Sequence, residues 1–278
     1  MKTYKLTAIA MLSCIAALLQ ISNSVIGIPT GFGMTVDLVG VPIILGFLLF
    51  GLDAALYISI LTALVITLAA PTSWIGAIMK FTATVPMFLV PAFYMLSMKK
   101  NFDLGKLLIN VFFALFVSLM LFILSISANL AGKAYVPSIT GTVYTVPRLD
   151  YLSFKEMSVS ASDLLLGLLP IAAIILFSFI LLHFWGRYSK DTTPLIFSSA
   201  EAMAVVMIVS ILVRGIAMIV SNYFFAGPLF FGTSPEVFME KVPWYLIFGW
   251  NMFQGAIEVM LAWTLAFRFG FMERYMKW

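Results

Sequence analysis

A few polar side chains interrupt stretches that are otherwise apolar, and their types define the chemistry open to this chain. Lys80 sits in IGAIMKFTATV, Arg214 in SILVRGIAMIV, and Asn222 eight residues further on. Asn251, Gln254 and Glu258 recur at three- and four-residue spacing in NMFQGAIE, which puts them on one face of a helix. Asp37 precedes the apolar run LVGVPIILGFLLF. In lipid such groups are expensive, so each is a candidate for function unless it is paired. Ammonium, guanidinium, carboxylate and amide together are equipped to bind a polar solute. They are poorly equipped for bond making, because hydrolases and transferases need nucleophile–base pairs or clustered acids and histidines. The only histidine is His183 and the acids are scattered, so no enzymatic activity is expected.

The elements that hold these residues follow from composition. Of 278 residues 63% are hydrophobic and 10% charged, with a mean hydropathy of +1.09. Soluble domains carry roughly 25% charged residues. An all-α integral membrane protein is expected, forming a single polytopic domain over 1–278. The net charge of +4 does not point to nucleic acid, because the basic residues stand singly or in pairs beside apolar runs, as membrane anchors do. A single cysteine, Cys14, excludes an internal disulfide and any multi-cysteine metal site, and neither metal nor cofactor is expected. No G-x-x-x-x-G-K-[ST] phosphate loop is present.

At about 20 apolar residues per span, the chain divides into eight transmembrane helices, at about 6–27, 35–50, 53–70, 75–97, 104–131, 160–186, 197–225 and 243–268. The first, although preceded by Lys2 and Lys5, has no convincing small-x-small cleavage site and is read as an uncleaved helix. Polar stretches at about 132–159 and 227–242 are read as loops. With the N-terminus in the cytoplasm, inner segments hold Lys2, Lys5, Lys99, Lys100, Lys106, Arg187, Lys190, Arg268, Arg274 and Lys277. Outer segments hold only Lys133, Arg148, Lys155 and Lys241. The positive-inside rule therefore supports this orientation, with both termini cytoplasmic and both long loops outside.

Several polar residues have a plain structural reading. Asp53, Asp103 and Asp163 open helices, where a carboxylate caps free N–H groups, and Ser198-x-x-Glu201 fits a capping box. Trp74, Trp244, Tyr245 and Trp278 fit interfacial belts, although Trp74 and Trp244 could also wall a ligand. At 1.5 Å per residue, Lys80 lies roughly 7–8 Å into the fourth span from outside. Asn222 and Asn251 fall at similar outer depth, and Asp37 at the outer start of the second span. That agreement favours an outward-facing polar pocket formed by Asp37, Trp74, Lys80, Asn222, Asn251 and Gln254, against a reading of each amide as interhelical glue. Arg214 and Glu258 lie deeper, where an ion pair between them is the economical arrangement.

The chain resembles the membrane-embedded substrate-binding subunit, or S component, of energy-coupling-factor (ECF) vitamin transporters, nearest the riboflavin-type members. The resemblance runs through Asp37, Pro42, Gly46 and Gly51, and through Gly76-Ala77-Ile78-Met79-Lys80-Phe81, which is similar to a G-E-x-x-N-F stretch. It continues in Arg214 to Asn222-Tyr223 and Pro228, and in Pro243 through Asn251 to Arg268. It covers about 34–97 and 197–270 and is carried by order and spacing.

The resemblance implies a high-affinity binder of a vitamin-like solute in a prokaryotic cell membrane. Uptake would require a transmembrane coupling subunit and two cytoplasmic ATPases. Ala10-x-x-x-Cys14 and Ser13-x-x-x-Ala17 offer the small-residue spacing with which such subunits dock a partner helix. Three departures stand out. The family has six spans, so an inserted hairpin over 103–190 is expected. Lys80 occupies the position of the pattern's Asn, and Gly76-Ala77 that of Gly-Glu. An ammonium there favours a substrate with a carboxylate, phosphate or electron-rich carbonyl. The alternative to an S component is an ion-coupled secondary transporter of a small organic solute.

Overall fold

The computed structural model describes residues 3–30, 35–70, 72–98, 161–188 and 194–276. Five of its helices are long and apolar enough to cross a membrane: Thr3–Ile21, Leu52–Ala69, Trp74–Ser97, Gly167–Gly186 and Ala200–Phe231. The chain is an all-α, multi-pass membrane protein. The fifth expected span, the loop over 132–159 and Asp103 lie outside the described residues, as does the side chain of Asp163.

Two compact units are distinguished. The first comprises Met1–Phe102, Leu181–Gly215 and Gly249–Trp278. It opens with α1 (Thr3–Ile21) and the single turn α2 (Asn23–Ile26). Next comes a two-residue antiparallel ladder in which Ile28 pairs with Val36 and Pro29 with Thr35. Helices α3 (Gly40–Phe50), α4 (Leu52–Ala69), α5 (Ser73–Thr84) and α6 (Pro86–Ser97) follow. α3 is buried from Gly40 through Leu49, on every face, as a helix with no polar stripe must be. With 11 residues it is about 16 Å long, half of a bilayer's hydrocarbon core.

The second span was expected to start at 35, but its helix begins only at Gly40. The reason is local: Thr35 and Val36 are held in the ladder, and the Val39 N–H donates to Asp37 Oδ1 at 3.0 Å. Asp37 thus belongs to the turn that starts α3, not to the span.

The corner from α3 to α4 is Gly51, whose φ of +92° suits a residue without a side chain. A Cβ there would also stand 2.9 Å from the Trp185 ring. Lys5 secures this corner from α1, donating to Phe50 O at 2.9 Å and to both Asp53 oxygens at 2.9 and 2.7 Å. Asp53 lies in the first turn of α4 as expected, but it makes no side-chain cap; it answers Lys5 instead. Below the corner, Phe47 packs its ring 6.2–6.4 Å from those of Phe88, Trp185 and Phe197. Pro86 starts α6 directly after α5, so the fourth span is one path built from two helices.

Helix α7 (Ala161–Tyr188) contains Pro170, and α8 (Ala200–Ser221) follows a 3-10 turn at Leu195–Ser198. The capping box expected at Ser198 and Glu201 does not form, because the 3-10 turn consumes Ser198; a simple N-cap one residue later takes its place. Ser199 Oγ accepts the Ala202 N–H at 3.4 Å. The last expected span is helix α11 (Trp244–Trp263), continued by a π-turn over Thr264–Arg268 and then α12 (Phe271–Met276). α11 is long enough to cross a membrane, but Asn251, Gln254 and Glu258 dilute its apolar character.

The second unit comprises Asp103–Ile180 and Ile216–Phe248. Here α8 runs into a π-turn over Asn222–Ala226, then α9 (Gly227–Phe231) and α10 (Pro235–Lys241). The expected loop over 227–242 is therefore largely helical. Phe238 explains why, since it is buried 5.9 Å from the Tyr223 ring and 5.5 Å from that of Phe231. The Tyr223 hydroxyl donates to Val242 O at 3.1 Å, closing the segment.

Candidate functional site

The first unit gathers charged and amide side chains from α3's entry turn, α5, α8 and α11 at one place. Glu258 is at its centre, fully buried. Arg214 Nη1 donates to Glu258 Oε2 at 2.6 Å. On the other carboxylate oxygen converge Gln254 Nε2 at 3.0 Å, the Gly40 N–H at 3.3 Å and Lys80 Nζ at 3.4 Å. Lys80 Nζ also pairs with Asp37 Oδ1. Gln254 Nε2 reaches Asp37 Oδ1 at 3.3 Å and its carbonyl at 3.4 Å. Asn251 Oδ1 accepts from Arg214 Nε at 3.4 Å, and Asn23 Nδ2 donates to Asp37 Oδ2 at 3.4 Å.

The backbone makes this convergence feasible. A helix N-terminus presents unpaired N–H groups and a partial positive charge. The buried N-terminus of α3 spends its Val39 and Gly40 N–H groups on Asp37 and Glu258. Gly40 is required for this approach, because a Cβ would stand 2.3 Å from Glu258 Cδ. On α11 the four-residue spacing stacks Gln254 under Glu258, so the amide bridges the two carboxylates.

Two carboxylates face two cations, and the cluster carries no net charge. Exposure grades across it: the side chains of Glu258 and Arg214 are 0% and 1% accessible, those of Asp37 and Lys80 9% and 13%. The interior pair anchors the site, and the Lys80–Asp37 pair forms its accessible edge.

The structure thus joins what residue-counted depth separated. Lys80 was expected in an outer pocket with Asp37, apart from the deeper Arg214–Glu258 pair; it pairs with Asp37 and also with Glu258, and is continuous with that pair. Counting residues locates Cα atoms, whereas a lysine's long stem carries its charge well away from its own Cα. Asn251 and Gln254 are buried within the network, at 0% and 2% accessibility.

Asn222 belongs to the second unit, where its Nδ2 donates to Met218 O at 2.7 Å in its own helical path. Trp74, in the first turn of α5, is exposed. On α1, Ala10 and Cys14 share an exposed stripe, but Ser13 is buried and donates to Ile9 O at 2.8 Å. α1 packs on α3 and α4.

Gly40 and Asn23 were missed by sequence reading. A glycine opening a fully apolar helix was the available signal for Gly40, whereas Asn23 gave none. Among the described residues, no group of three or more His, Cys, Asp or Glu side chains is placed to hold a metal ion.

Compared with models of known protein families, with curated proteins and with solved structures, the chain finds no match.

Proposed function

We propose that this chain is the substrate-binding membrane subunit of an ATP-driven, ECF-type importer, capturing a vitamin or related small molecule from outside the cell. The observation that carries the reading is the charge-balanced cluster. Four separate elements of an apolar helical unit send Asp37, Lys80, Arg214, Gln254 and Glu258 to one place whose edge is accessible. Polar groups inside a membrane protein are costly and mark solute pathways. The resemblance of the stretches around Asp37, Lys80 and Arg214 to S components supplies the transporter class. In this reading the chain has eight spans, with both termini in the cytoplasm of a prokaryotic cell. It relies on a transmembrane coupling subunit and two ATPases, since no phosphate loop is present here.

Mass spectrometry of small molecules that co-purify with the detergent-extracted protein tests this reading. A stoichiometric organic solute is the expected result, and uptake in cells should require co-expressed ATPase partners. An ion-coupled secondary transporter is the second reading, favoured by the buried carboxylates that share Lys80. Solute uptake by proteoliposomes holding this chain alone, driven by a proton or sodium gradient, would decide for it.

A further inference from the structure

Each ionised group of the cluster already touches an opposite charge. Lys80, the cation at the accessible edge, faces both Asp37 and Glu258, and Arg214 is engaged by Glu258. The helix N–H groups that would greet an anion are also taken, by the same two carboxylates. An arriving anion would become a third negative group around one ammonium. An arriving cation would find both carboxylates already neutralised. Either leaves a net charge in a site shielded from water, where charge is poorly solvated.

We infer that the cluster selects a solute of zero net charge bearing both hydrogen-bond donors and acceptors, that is, a zwitterion or an uncharged polar molecule. This rests on the binding role proposed above. The solute enters by opening the Lys80–Asp37 pair, placing an acceptor on the Lys80 ammonium and a donor on the Asp37 carboxylate. That pair opens first because its members are 13% and 9% accessible, whereas Arg214 and Glu258 are closed off. Glu258 stays in place, held by Arg214, Gln254 and the Gly40 N–H. Of the substrates expected from Lys80 alone, a net anion is thereby set aside and an electron-rich carbonyl, or a carboxylate balanced by a cation, is kept, because Asp37 and Glu258 already supply the counter-charge of Lys80.

The test uses the full chain in lipid nanodiscs and a defined library of water-soluble small molecules. The library holds equal numbers of net anions, net cations and net-neutral compounds at pH 7. Retained compounds are identified by mass spectrometry after rapid desalting. The wild type should retain net-neutral compounds at least tenfold over charged ones. Asp37→Asn should shift retention toward anions, and Lys80→Met toward cations. The double variant Asp37→Asn with Lys80→Met restores neutrality without the edge pair, and should lose both shifts while retaining net-neutral compounds more weakly than the wild type. If either single variant fails to fold, the wild type and the double variant decide the matter. A charged compound as the strongest wild-type binder would overturn this inference while leaving the binding role intact. Retention of nothing would remove the binding role and the inference with it.

Discussion

Two lysines of the first unit perform outwardly similar tasks at different places. Lys5 reaches from α1 to the α3–α4 corner and grips Asp53 with both oxygens, and Lys80 reaches from α5 to the N-terminus of α3 and pairs with Asp37 and Glu258. The difference is water. The Lys5 and Asp53 side chains are 17% and 30% accessible, so solvent screens their attraction and replaces either partner when the other is lost. Glu258, at 0%, has no such replacement. Its energetic weight comes from the penalty for leaving its partners alone, and much less from the net strength of the pair. The first contact trims a corner; the second makes one buried arrangement of four elements interdependent.

That contrast is broken most severely at Glu258. Glu258→Ala strands Arg214 in an apolar interior and should cost about 3–5 kcal/mol, read as a large loss of thermal stability in detergent. A mild loss would mean that Arg214 finds water or another partner, and the two sites would then differ less than their burial implies. Gly40→Ala comes next. Its Cβ must displace the Glu258 carboxylate from 2.3 Å, at a cost of about 1–3 kcal/mol on the same assay.

Lys80→Met leaves the two carboxylates facing each other at the more accessible edge and should cost about 1.5–3 kcal/mol. Adding Asp37→Asn to it should recover part of that loss, because the remaining Arg214–Glu258 pair is neutral again. Lys5→Ala should be the smallest effect, within about 1 kcal/mol and shrinking further in high salt. A Lys5 effect as large as that of Lys80 would erase the distinction.

The apolar character of the chain and most helix positions were legible because membrane spans are written in composition. Glu258, Gln254 and Asn251 were legible as one face because helical spacing is local. Their company was not. That Lys80 meets Glu258, 178 residues away, depends on tertiary packing and on the reach of a flexible side chain. The late start of α3 at Gly40 was missed because a ladder of two residues per strand leaves almost no sequence signal. Asp53 shows the opposite error. Its position at a helix start was read correctly, but a lysine 48 residues away competes for the carboxylate and wins.

The most direct test of the central claim is equilibrium binding of the co-purified solute to Lys80→Met, with Lys5→Ala measured alongside. If the buried cluster is the binding site, Lys80→Met lowers affinity at least tenfold while Lys5→Ala binds as the wild type does. Unchanged affinity in a correctly inserted Lys80→Met protein would contradict the account, leaving the cluster as a structural brace with the solute bound elsewhere.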